Sequence, residues 1–376
     1  MKRDNDPRLA ALRGPVPALP HNARTLAALT KNPGCSRRAV LDAAGADKDL
    51  IAQHIGFDAS RRPSHLAFAR GQRFETQVKA EGYAHVIRIL RQLLGLDIAE
   101  VGLVSLDEVG GNAQPGLRYA RTRAHLSEAA RGSLGGTLFD HPMLRLTVAG
   151  NPVYLEPDLI AFRIADRFHV LEVKSFAIID GQADSAHVKP ATTQAAAYVL
   201  ALREMLAEQG LGEDAVSTDV IIIAPRDFTN TPVGAVVDAQ KEISTLRRQL
   251  GRLRRVGDIL DRLPGGLTLD LQLDQDRNPG RAPGELIDAL DQIPANYRPG
   301  CLGACELSRY CREQARADAF LDVLGPSVTE HLGGIETVTM ALGLARGTVE
   351  PTVEQIPVAA ALRHAAEIRA RLKETA

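Results

Sequence analysis

Length, composition and charge set the class of protein before any motif is considered. The chain has 376 residues, which at roughly 150 residues per domain predicts two domains or one elaborated domain. It is 45% hydrophobic and 24% charged, with 32 glycines and 21 prolines, which excludes disordered, collagen-like and fibrous proteins. The 45 basic and 46 acidic residues give a net charge of −1, so the chain lacks the strongly basic character that by itself indicates a nucleic-acid partner.

The sequence shows no targeting or membrane signal. The first residues carry charges but no apolar stretch behind them, so we expect no secretory signal. Apolar runs such as Val220–Ala224 are far shorter than the roughly 20 residues that span a bilayer. These features predict a cytoplasmic protein without a membrane partner.

The N-terminal quarter of the chain combines an irregular and a helical pattern. Four prolines from Pro7 to Pro20 predict an irregular arm, bounded at 1–29. Between Ser64 and Leu94 apolar residues recur at intervals of three and four, which predicts a long helix broken near Gly82.

The middle of the chain has the pattern of a mixed sheet. Residues 157–162 and 168–175 predict two strands joined by a tight turn at Asp166-Arg167. A helix over 192–209 and a buried strand over 219–224 follow. This strand, strand, helix, strand order predicts an α/β fold.

Two further segments have less regular patterns. Residues 95–150 are rich in glycine and arginine and predict a loop-rich insertion with one strand over 143–148. Residues 234–262 predict a long helix, whose arginines indicate either a solvated basic face or a surface that contacts DNA. The basic side chains of the two segments, which we predict to line the path of a DNA partner, are Arg118, Arg121, Arg123, Arg131, Arg247, Arg248, Arg252, Arg254 and Arg255.

Three charged residues form the most informative motif. Asp158 lies at the end of one predicted strand, and Glu172 and Lys174 project from the same face of the next strand because side chains alternate. A hairpin brings the two carboxylates together, and such a pair is costly unless a divalent cation such as Mg²⁺ or Mn²⁺ neutralises it. A nearby lysine can orient an attacking water, so the motif predicts metal-assisted phosphodiester hydrolysis. Two exposed strand ends joined by a salt bridge are the structural alternative.

Residues before and after this motif extend it. Glu75, at the end of Gly71-Gln72-Arg73-Phe74-Glu75, lies on the early helix and is a further candidate metal ligand. Gln194 and Tyr198 are four residues apart, so both project from one face of the helix that follows the strand pair. Singly, each of these two is equally typical of an ordinary surface or half-buried helix residue.

With these motifs in this order, the sequence resembles the RecB-like branch of the PD-(D/E)xK nuclease superfamily over roughly residues 30–315. Pro157-Asp158 with Glu172-Val173-Lys174 is similar to the superfamily signature. Gly71-x-x-x-Glu75 is similar to the motif on the first helix, with glutamate where many relatives have histidine. Gln194-x-x-x-Tyr198 is similar to the Gln-x-x-x-Tyr motif.

The resemblance implies a restriction-endonuclease-like fold, with a mixed central sheet flanked by helices. It also implies roles for the motif residues. Glu75, Asp158 and Glu172 would hold the metal, and Lys174 would support the water nucleophile. Gln194 and Tyr198 would position the DNA strand or the catalytic groups.

The cysteines form a second candidate site. Four cysteines, three of them within eleven residues, are too few and too clustered for a disulfide framework and indicate a metal site in a reducing compartment. Cys301, Cys305 and Cys311 with the remote Cys35 give the four ligands of a 4Fe-4S cluster or a structural zinc. Alternatively, Cys35 is an unrelated buried thiol, because free cysteine packs as a small apolar residue.

One cysteine before the nuclease motifs and three after them is similar to the layout of the iron-sulfur RecB-like nucleases, which include the CRISPR-associated Cas-four exonucleases and the AddB nuclease domain. This resemblance implies a 4Fe-4S cluster that joins the ends of the nuclease domain and supports DNA binding. Cys301 and Cys305 are separated by three residues where two are typical, while the gap of five to Cys311 agrees. The departure leaves Zn²⁺ as the alternative metal.

Together these features predict a nuclease domain over 30–315, closed by the four-cysteine site, with inserts near 95–150 and 226–300 and a helical extension over 316–376. We expect a Mg²⁺- or Mn²⁺-dependent deoxyribonuclease. By resemblance, it would act on single-stranded DNA ends in DNA repair or in defence against foreign DNA, with a helicase or CRISPR-adaptation proteins as candidate partners. The alternatives are a nuclease acting on RNA and a non-catalytic DNA-binding or assembly subunit with structural zinc.

Overall fold

A computed structural model of the chain describes residues 6–57, 65–94, 101–106, 114–131, 136–148, 151–164, 167–179, 182–227, 229–253, 256–317, 321 and 326–374. The helices are α1 (Pro7–Arg13), α2 (Ala23–Leu29), α3 (Ser36–Ala44), α4 (Lys48–His54), α5 (His65–Leu94), α6 (Pro115–Ala130), α7 (Ser185–Ala207), α8 (Gln240–Leu253), α9 (Gly257–Leu260), α10 (Pro283–Asp291), α11 (Ser308–Ala317), α12 (Pro326–His331), α13 (Val338–Arg346) and α14 (Ile356–Glu374). The strands are β1 (Gly102–Ser105), β2 (Thr137–Asp140), β3 (Leu144–Val148), β4 (Asn151–Leu155), β5 (Leu159–Ile164), β6 (Arg167–Val173), β7 (Ile178–Ile179), β8 (Gln182–Ala183), β9 (Asp219–Pro225) and β10 (Pro232–Asp238).

A mixed six-stranded sheet organises the described residues, with the strand order β1-β2-β5-β6-β9-β10. β5 and β6 are antiparallel, with Leu159 opposite Leu171, and β6 and β9 are parallel, with Leu171 opposite Ile221. The parallel pair requires a crossover, and α7 lies in that connection. The predicted strand, strand, helix, strand order and the α/β class with a mixed sheet flanked by helices are therefore confirmed. Asp166, in the predicted turn between β5 and β6, lies outside the described residues.

One face of the sheet packs against α5. The apolar side chains in this core come from both halves of the helix and from β2, β5, β6 and β9: Phe74, Val78, Val86, Ile89, Leu90, Leu138, Leu159, Ala161, Leu171, Ile221 and Ile223. Because side chains alternate along a strand, Ile160, Val170 and Ile222 lie on the opposite face. α7 contacts β6 and β9. Helices therefore cover the central strands that carry the candidate site.

The predicted break in the long helix is confirmed at Gly82. The backbone leaves helical geometry from Ala80 to Tyr83, and Gly82 has φ 64°. Glycine adopts this left-handed conformation without steric cost, whereas Glu81 and Tyr83 adopt it as non-glycine residues. The break lets α5 change direction so that both of its halves pack against the same sheet.

Two predictions for irregular segments are wrong. The predicted N-terminal arm contains α1 and α2, and Pro7 is the first residue of α1, a position where the missing N–H costs nothing. The predicted loop-rich insertion over 95–150 contains β1, α6 and β2 besides the predicted strand β3. α6 also begins with a proline, Pro115, so these prolines start helices and do not interrupt them.

The predicted helix over 234–262 is wrong at its start. Residues up to Asp238 belong to β10, which pairs antiparallel with β9, and the helix α8 begins at Gln240. The β-branched Val233, Val236 and Val237 favour a strand once the buried strand β9 offers a partner. Arg254 and Arg255 lie outside the described residues.

The chain divides into two compact units. The sheet unit consists mainly of Leu19–Thr30 and Arg61–Gly257. The cysteine unit consists of Pro7–Ala18, Lys31–Ser60 and Asp258–Ala376, and its C-terminal part contains the helices α12 to α14 that the sequence predicts. No helix in the described part of either unit is long and apolar enough to cross a membrane.

Replacing Gly234 with valine should destabilise the sheet unit. A Cβ at this position would lie 2.3 Å from Ile89 Cγ2 and 2.9 Å from Leu93 Cδ1, and overpacking typically costs about 1–3 kcal/mol. We expect a lower midpoint of urea unfolding, followed by circular dichroism. Gly251→Ala is the control, because no atom lies within 4 Å of an added Cβ there. An unchanged midpoint for Gly234→Val would show that α5 does not need this close approach to β10.

Candidate functional site

The hairpin of β5 and β6 places the two predicted carboxylates side by side. Asp158 directly precedes β5, and Glu172 is the second-last residue of β6. Since Leu159 pairs with Leu171, Asp158 lies across from Glu172 on the same face of the sheet. Asp158 Oδ2 accepts a hydrogen bond of 2.7 Å from the Val173 N–H, which fixes this carboxylate against the end of β6.

Glu172 is a fully buried carboxyl group with one oxygen left over. Its side chain is 1% exposed, and Lys174 Nζ donates to Oε2. Oε1 has no hydrogen-bond partner in the part of the chain that the structure describes. Burial and the neighbouring charge of Asp158 raise the pKa of Glu172 to about 8, against the opposing effect of Lys174. A buried carboxyl group with a free oxygen needs a cation or a proton there.

Glu75 reaches the same site from α5. A Cβ on Gly71, at the start of this motif, would lie 4.0 Å from Ser175 Oγ, so the helix passes close to the end of β6. Burial has the largest effect on the pKa values of Asp158, Glu172 and Lys174, and the negative charge of Glu75 acts to raise all three, so its carboxylate interacts electrostatically with the site. The predicted additional acidic group is therefore at the site.

Gln194 and Tyr198 approach Glu172 from α7. Gln194 Nε2 donates a hydrogen bond of 2.9 Å to the Tyr198 hydroxyl, as their spacing of four residues allows. Tyr198 is buried, and burial together with the charge of Glu172 raises its pKa well above the ordinary value. The phenol therefore keeps its proton. The structure thus brings all six predicted residues together, and their roles in catalysis stay predictions.

Sequence reasoning missed a second lysine in the site. Lys79 Nζ lies 2.6 Å from Glu75 Oε1, 2.8 Å from Asp140 Oδ1 and 2.8 Å from His141 Nε2. Burial alone would lower the pKa of Lys79, but the hydrogen bonds to Asp140 and Glu75 outweigh it and raise the pKa. The one sequence signal was its position four residues after Glu75 on the same helix.

An ion-paired network lies next to Lys79, and no local sequence motif indicates it. His141 Nδ1 is 3.0 Å from Glu156 Oε1, and Arg118 holds both oxygens of Glu156 at 2.8 and 3.0 Å. These partners outweigh burial and lower the pKa of Glu156 to about 2. The predicted role of Arg118 in a DNA-contacting surface is wrong, because its side chain is 1% exposed and is used in this network. Arg121, Arg123 and Arg131 are exposed.

The cysteines lie together in the cysteine unit. Cys301, Cys305 and Cys311 are buried, Cys35 is half-buried, and all four are free thiols. Burial raises the pKa of Cys311, and the charges of Cys35 and Cys301 contribute in the same direction. The charge of the remote Cys35 thus acts on Cys311, and one metal site formed by all four cysteines stays a prediction.

Donors and positive charges surround these sulfurs. Asn32 Nδ2 donates to Cys301 Sγ at 3.1 Å, and Arg37 Nη1 donates to Cys311 Sγ at 3.3 Å. Burial raises the pKa of Cys305 to about 12, while the charges of Lys48 and Arg38 act to lower it. Such surroundings suit sulfurs that carry negative charge, as thiolates do when they ligate a metal.

The donor sets fit two different kinds of metal. No group of three or more His, Cys, Asp or Glu side chains in the described residues is already arranged to hold an ion. Even so, the unpartnered Glu172 Oε1 beside two further carboxylates suits a hard cation such as Mg²⁺ or Mn²⁺. Four thiols with N–H donors around them suit iron-sulfur or zinc.

Comparison with known proteins assigns the chain to no family. No protein-family model matches the chain, and no curated protein matches it in sequence. The functional argument therefore depends on the residues of the two sites.

In metal-free protein, Glu172 should make stability fall as the pH rises. Its pKa is about 8 in the folded state against an ordinary value of 4.5, so between these values the folded state binds more protons than the unfolded state. The free energy of unfolding then decreases with pH across this window. We expect Glu172→Gln to remove the slope and to stabilise the chelator-treated protein at pH 8 by more than about 1 kcal/mol. Glu128→Gln, on the exposed side of α6, is the control, and an unchanged slope in Glu172→Gln would contradict the assignment.

Proposed function

We propose that the protein is a metal-dependent nuclease of the RecB-like PD-(D/E)xK type, with a restriction-endonuclease-like core. The observation that carries this proposal is the buried pair Asp158 and Glu172, with its unpartnered oxygen and Lys174 bonded to it. A structural salt bridge between Glu172 and Lys174 would not need two further carboxylates nearby, because the charges of Asp158 and Glu75 disfavour the ionised form of Glu172.

Three carboxylates would hold Mg²⁺ or Mn²⁺: Glu75, Asp158 and Glu172. When bound, the metal supplies Lewis-acid polarisation of the scissile phosphate and favours deprotonation of the attacking water. The protein prepares for this charge by burial, because Glu172 and Asp158 lose the competing solvation of bulk water. The β5–β6 pairing fixes the two carboxylates relative to each other.

The remaining site residues would handle the water and the phosphate. Lys174 is 22% exposed and contacts Glu172, so its ammonium would stabilise a water beside the carboxylates and the charge that develops on the phosphate. The Tyr198 hydroxyl accepts from Gln194 and keeps its own proton, so it would donate to a carboxylate or a phosphate oxygen. Gln194 would orient this hydroxyl.

DNA is the substrate that the surroundings of the site favour. Arg73 on α5 and Lys189 on α7 are exposed basic residues on the two helices that carry Glu75 and Gln194. Exposed basic side chains attract the phosphate backbone locally, so the near-neutral charge of the whole chain is compatible with binding. By resemblance, single-stranded DNA ends are the preferred form, in DNA repair or in defence against foreign DNA.

The four cysteines would hold a 4Fe-4S cluster in the cysteine unit. Asn32 and Arg37, the donors to Cys301 and Cys311, would stabilise the negative charge of cluster sulfurs through N–H···S hydrogen bonds. Structural zinc is the alternative occupant of the same four thiols.

Lys174→Ala should lower the rate of DNA degradation by at least about 100-fold, because one preorganised donor to a developing charge is typically worth that factor or more. The assay follows 5′-end-labelled single-stranded DNA with Mn²⁺, in parallel with duplex DNA and RNA of the same sequence. Lys241→Ala, an exposed lysine on α8, is the control and should degrade DNA at the wild-type rate. Degradation that survives Lys174→Ala unchanged would refute the catalytic assignment. If the RNA is degraded faster than either form of DNA, RNA and not DNA is the substrate.

Protein purified without oxygen should be brown and contain about four iron and four sulfide per chain, as a 4Fe-4S cluster requires. Replacing Cys35 with alanine should reduce the iron content, because it removes the one ligand that lies far from the others in sequence. Measured iron, sulfide and zinc distinguish the outcomes. Colourless protein with one zinc per chain would favour the structural metal, and full iron retention in Cys35→Ala would show that Cys35 is an unrelated thiol.

A further inference from the structure

The carboxylate of Glu75 is held from behind by a chain of charged groups. Lys79 Nζ contacts its Oε1 at 2.6 Å, His141 Nε2 lies 2.8 Å from Lys79 Nζ, and His141 Nδ1 lies 3.0 Å from Glu156 Oε1. Arg118 completes the chain with two hydrogen bonds to Glu156. Glu156, His141 and Lys79 thus connect a fully buried arginine to a candidate metal ligand.

The contacts of His141 determine which ring nitrogen carries the proton. A lysine ammonium offers only donors, so Nε2 must accept from Lys79. A carboxylate offers only acceptors, so Nδ1 must carry the proton and donate it to Glu156. These contacts select the Nδ1–H tautomer of the neutral imidazole, in which the Nε2 lone pair fixes one N–H of Lys79.

The backbone of His141 is held as firmly as its ring. His141 has φ 48°, which is uncommon for a residue other than glycine. Its N–H donates to the Asp158 carbonyl at 3.3 Å, and its own carbonyl accepts from Arg118 Nη2 at 2.9 Å. The hydrogen bond to Asp158 links this turn directly to the second candidate ligand.

Lys79 has no donor left for a substrate. Its ammonium hydrogen-bonds to Glu75, His141 and the Asp158 carbonyl and is ion-paired with Asp140, so all three of its N–H groups are used. In this respect it differs from Lys174, which has one hydrogen-bond partner within the described part of the chain. Lys79 therefore holds a group in place.

We propose that His141 is a positioning residue for metal binding: through Lys79 it fixes the Glu75 carboxylate, leaving the other Glu75 oxygen for the divalent cation. This inference rests on the proposed function, because it assumes that Glu75, Asp158 and Glu172 bind the metal. Groups that orient metal ligands from outside typically contribute 10–100-fold to affinity.

Two conservative variants distinguish positioning of Lys79 and Glu75 by the His141 ring from mere support of the turn that contains His141. In His141→Gln the amide oxygen reaches the place of Nε2 and keeps an acceptor for Lys79. In His141→Asn the shorter amide reaches the place of Nδ1 and keeps a donor for Glu156, but the acceptor for Lys79 is lost. Asparagine also tolerates a positive φ well, so backbone strain does not disfavour this variant.

The measurement is Mn²⁺ affinity of the full chain without DNA, from the free Mn²⁺ signal in electron paramagnetic resonance. We expect His141→Asn to bind Mn²⁺ about 10–100-fold more weakly, and His141→Gln to stay within about threefold of the wild type. Equal loss in both variants, or weaker binding in His141→Gln than in His141→Asn, would show that His141 only supports the turn. Wild-type affinity in His141→Asn would overturn the inference directly.

Glu172→Gln separates this inference from the proposed function. If it binds Mn²⁺ as well as the wild type, the carboxylate site is not a metal site and both proposals fail. If it loses Mn²⁺ while His141→Asn does not, only the positioning role fails.

A second measurement needs no folded Asn variant. In ¹⁵N-labelled wild-type protein at alkaline pH, the ring nitrogens of His141, assigned by their absence in His141→Gln, should show the Nδ1–H tautomer. An Nε2–H tautomer would place a donor against Lys79 and would exclude the proposed chain.

Discussion

The burial of Glu172 beside Asp158 is the constraint on which the site depends. Glu172 lies on β6, an inner strand with β5 on one side and β9 on the other, so its carboxyl group cannot turn out into solvent. Taking two carboxylates out of water costs several kcal/mol unless positive charge or protons compensate. Lys174 supplies part of that compensation at Oε2, and Oε1 remains without a partner in the described structure. The sheet thus builds a place where a cation is needed, and α5 and α7 bring further polar groups to it.

The two lysines of the sheet unit show how one residue type serves two purposes. Lys79 is surrounded by acceptors, which raise its pKa and leave its ammonium fixed. Lys174 has one such partner in the described residues and is partly exposed, so it can still meet a substrate. The difference arises from β2, whose end places Asp140 and His141 against Lys79 and not against Lys174. The hydrogen-bonded network around Lys79 is of the kind that typically holds metal ligands in place from outside the site. Lys174, inside the site, keeps donors for a substrate.

The cysteine unit meets the same electrostatic problem with different chemistry. Burial raises the pKa values of Cys305 and Cys311, so these two thiols would not ionise without an electrophilic partner. Arg37 and Asn32 donate to two of the sulfurs, and Lys48 and Arg38 place positive charge near a third. In both units, buried acidic groups, carboxyls in one and thiols in the other, lie beside donors that favour their ionised form. This shared feature is why we propose a metal for each.

The sequence by itself determined the six core site residues and the order of the elements that carry them. Alternation along β6 puts Glu172 and Lys174 on one face, and helical spacing pairs Gln194 with Tyr198, so local periodicity was sufficient to place these four side chains. Tertiary structure alone decided the partners of Lys79 and the burial of Arg118, because Asp140, His141 and Glu156 reach these side chains through strand pairing and not through spacing. It also made β10 a strand, since only the neighbouring β9 offers the hydrogen bonds that outweigh the local helical pattern. Short-range periodicity can be predicted from the sequence, whereas contacts between distant segments depend on how the sheet assembles.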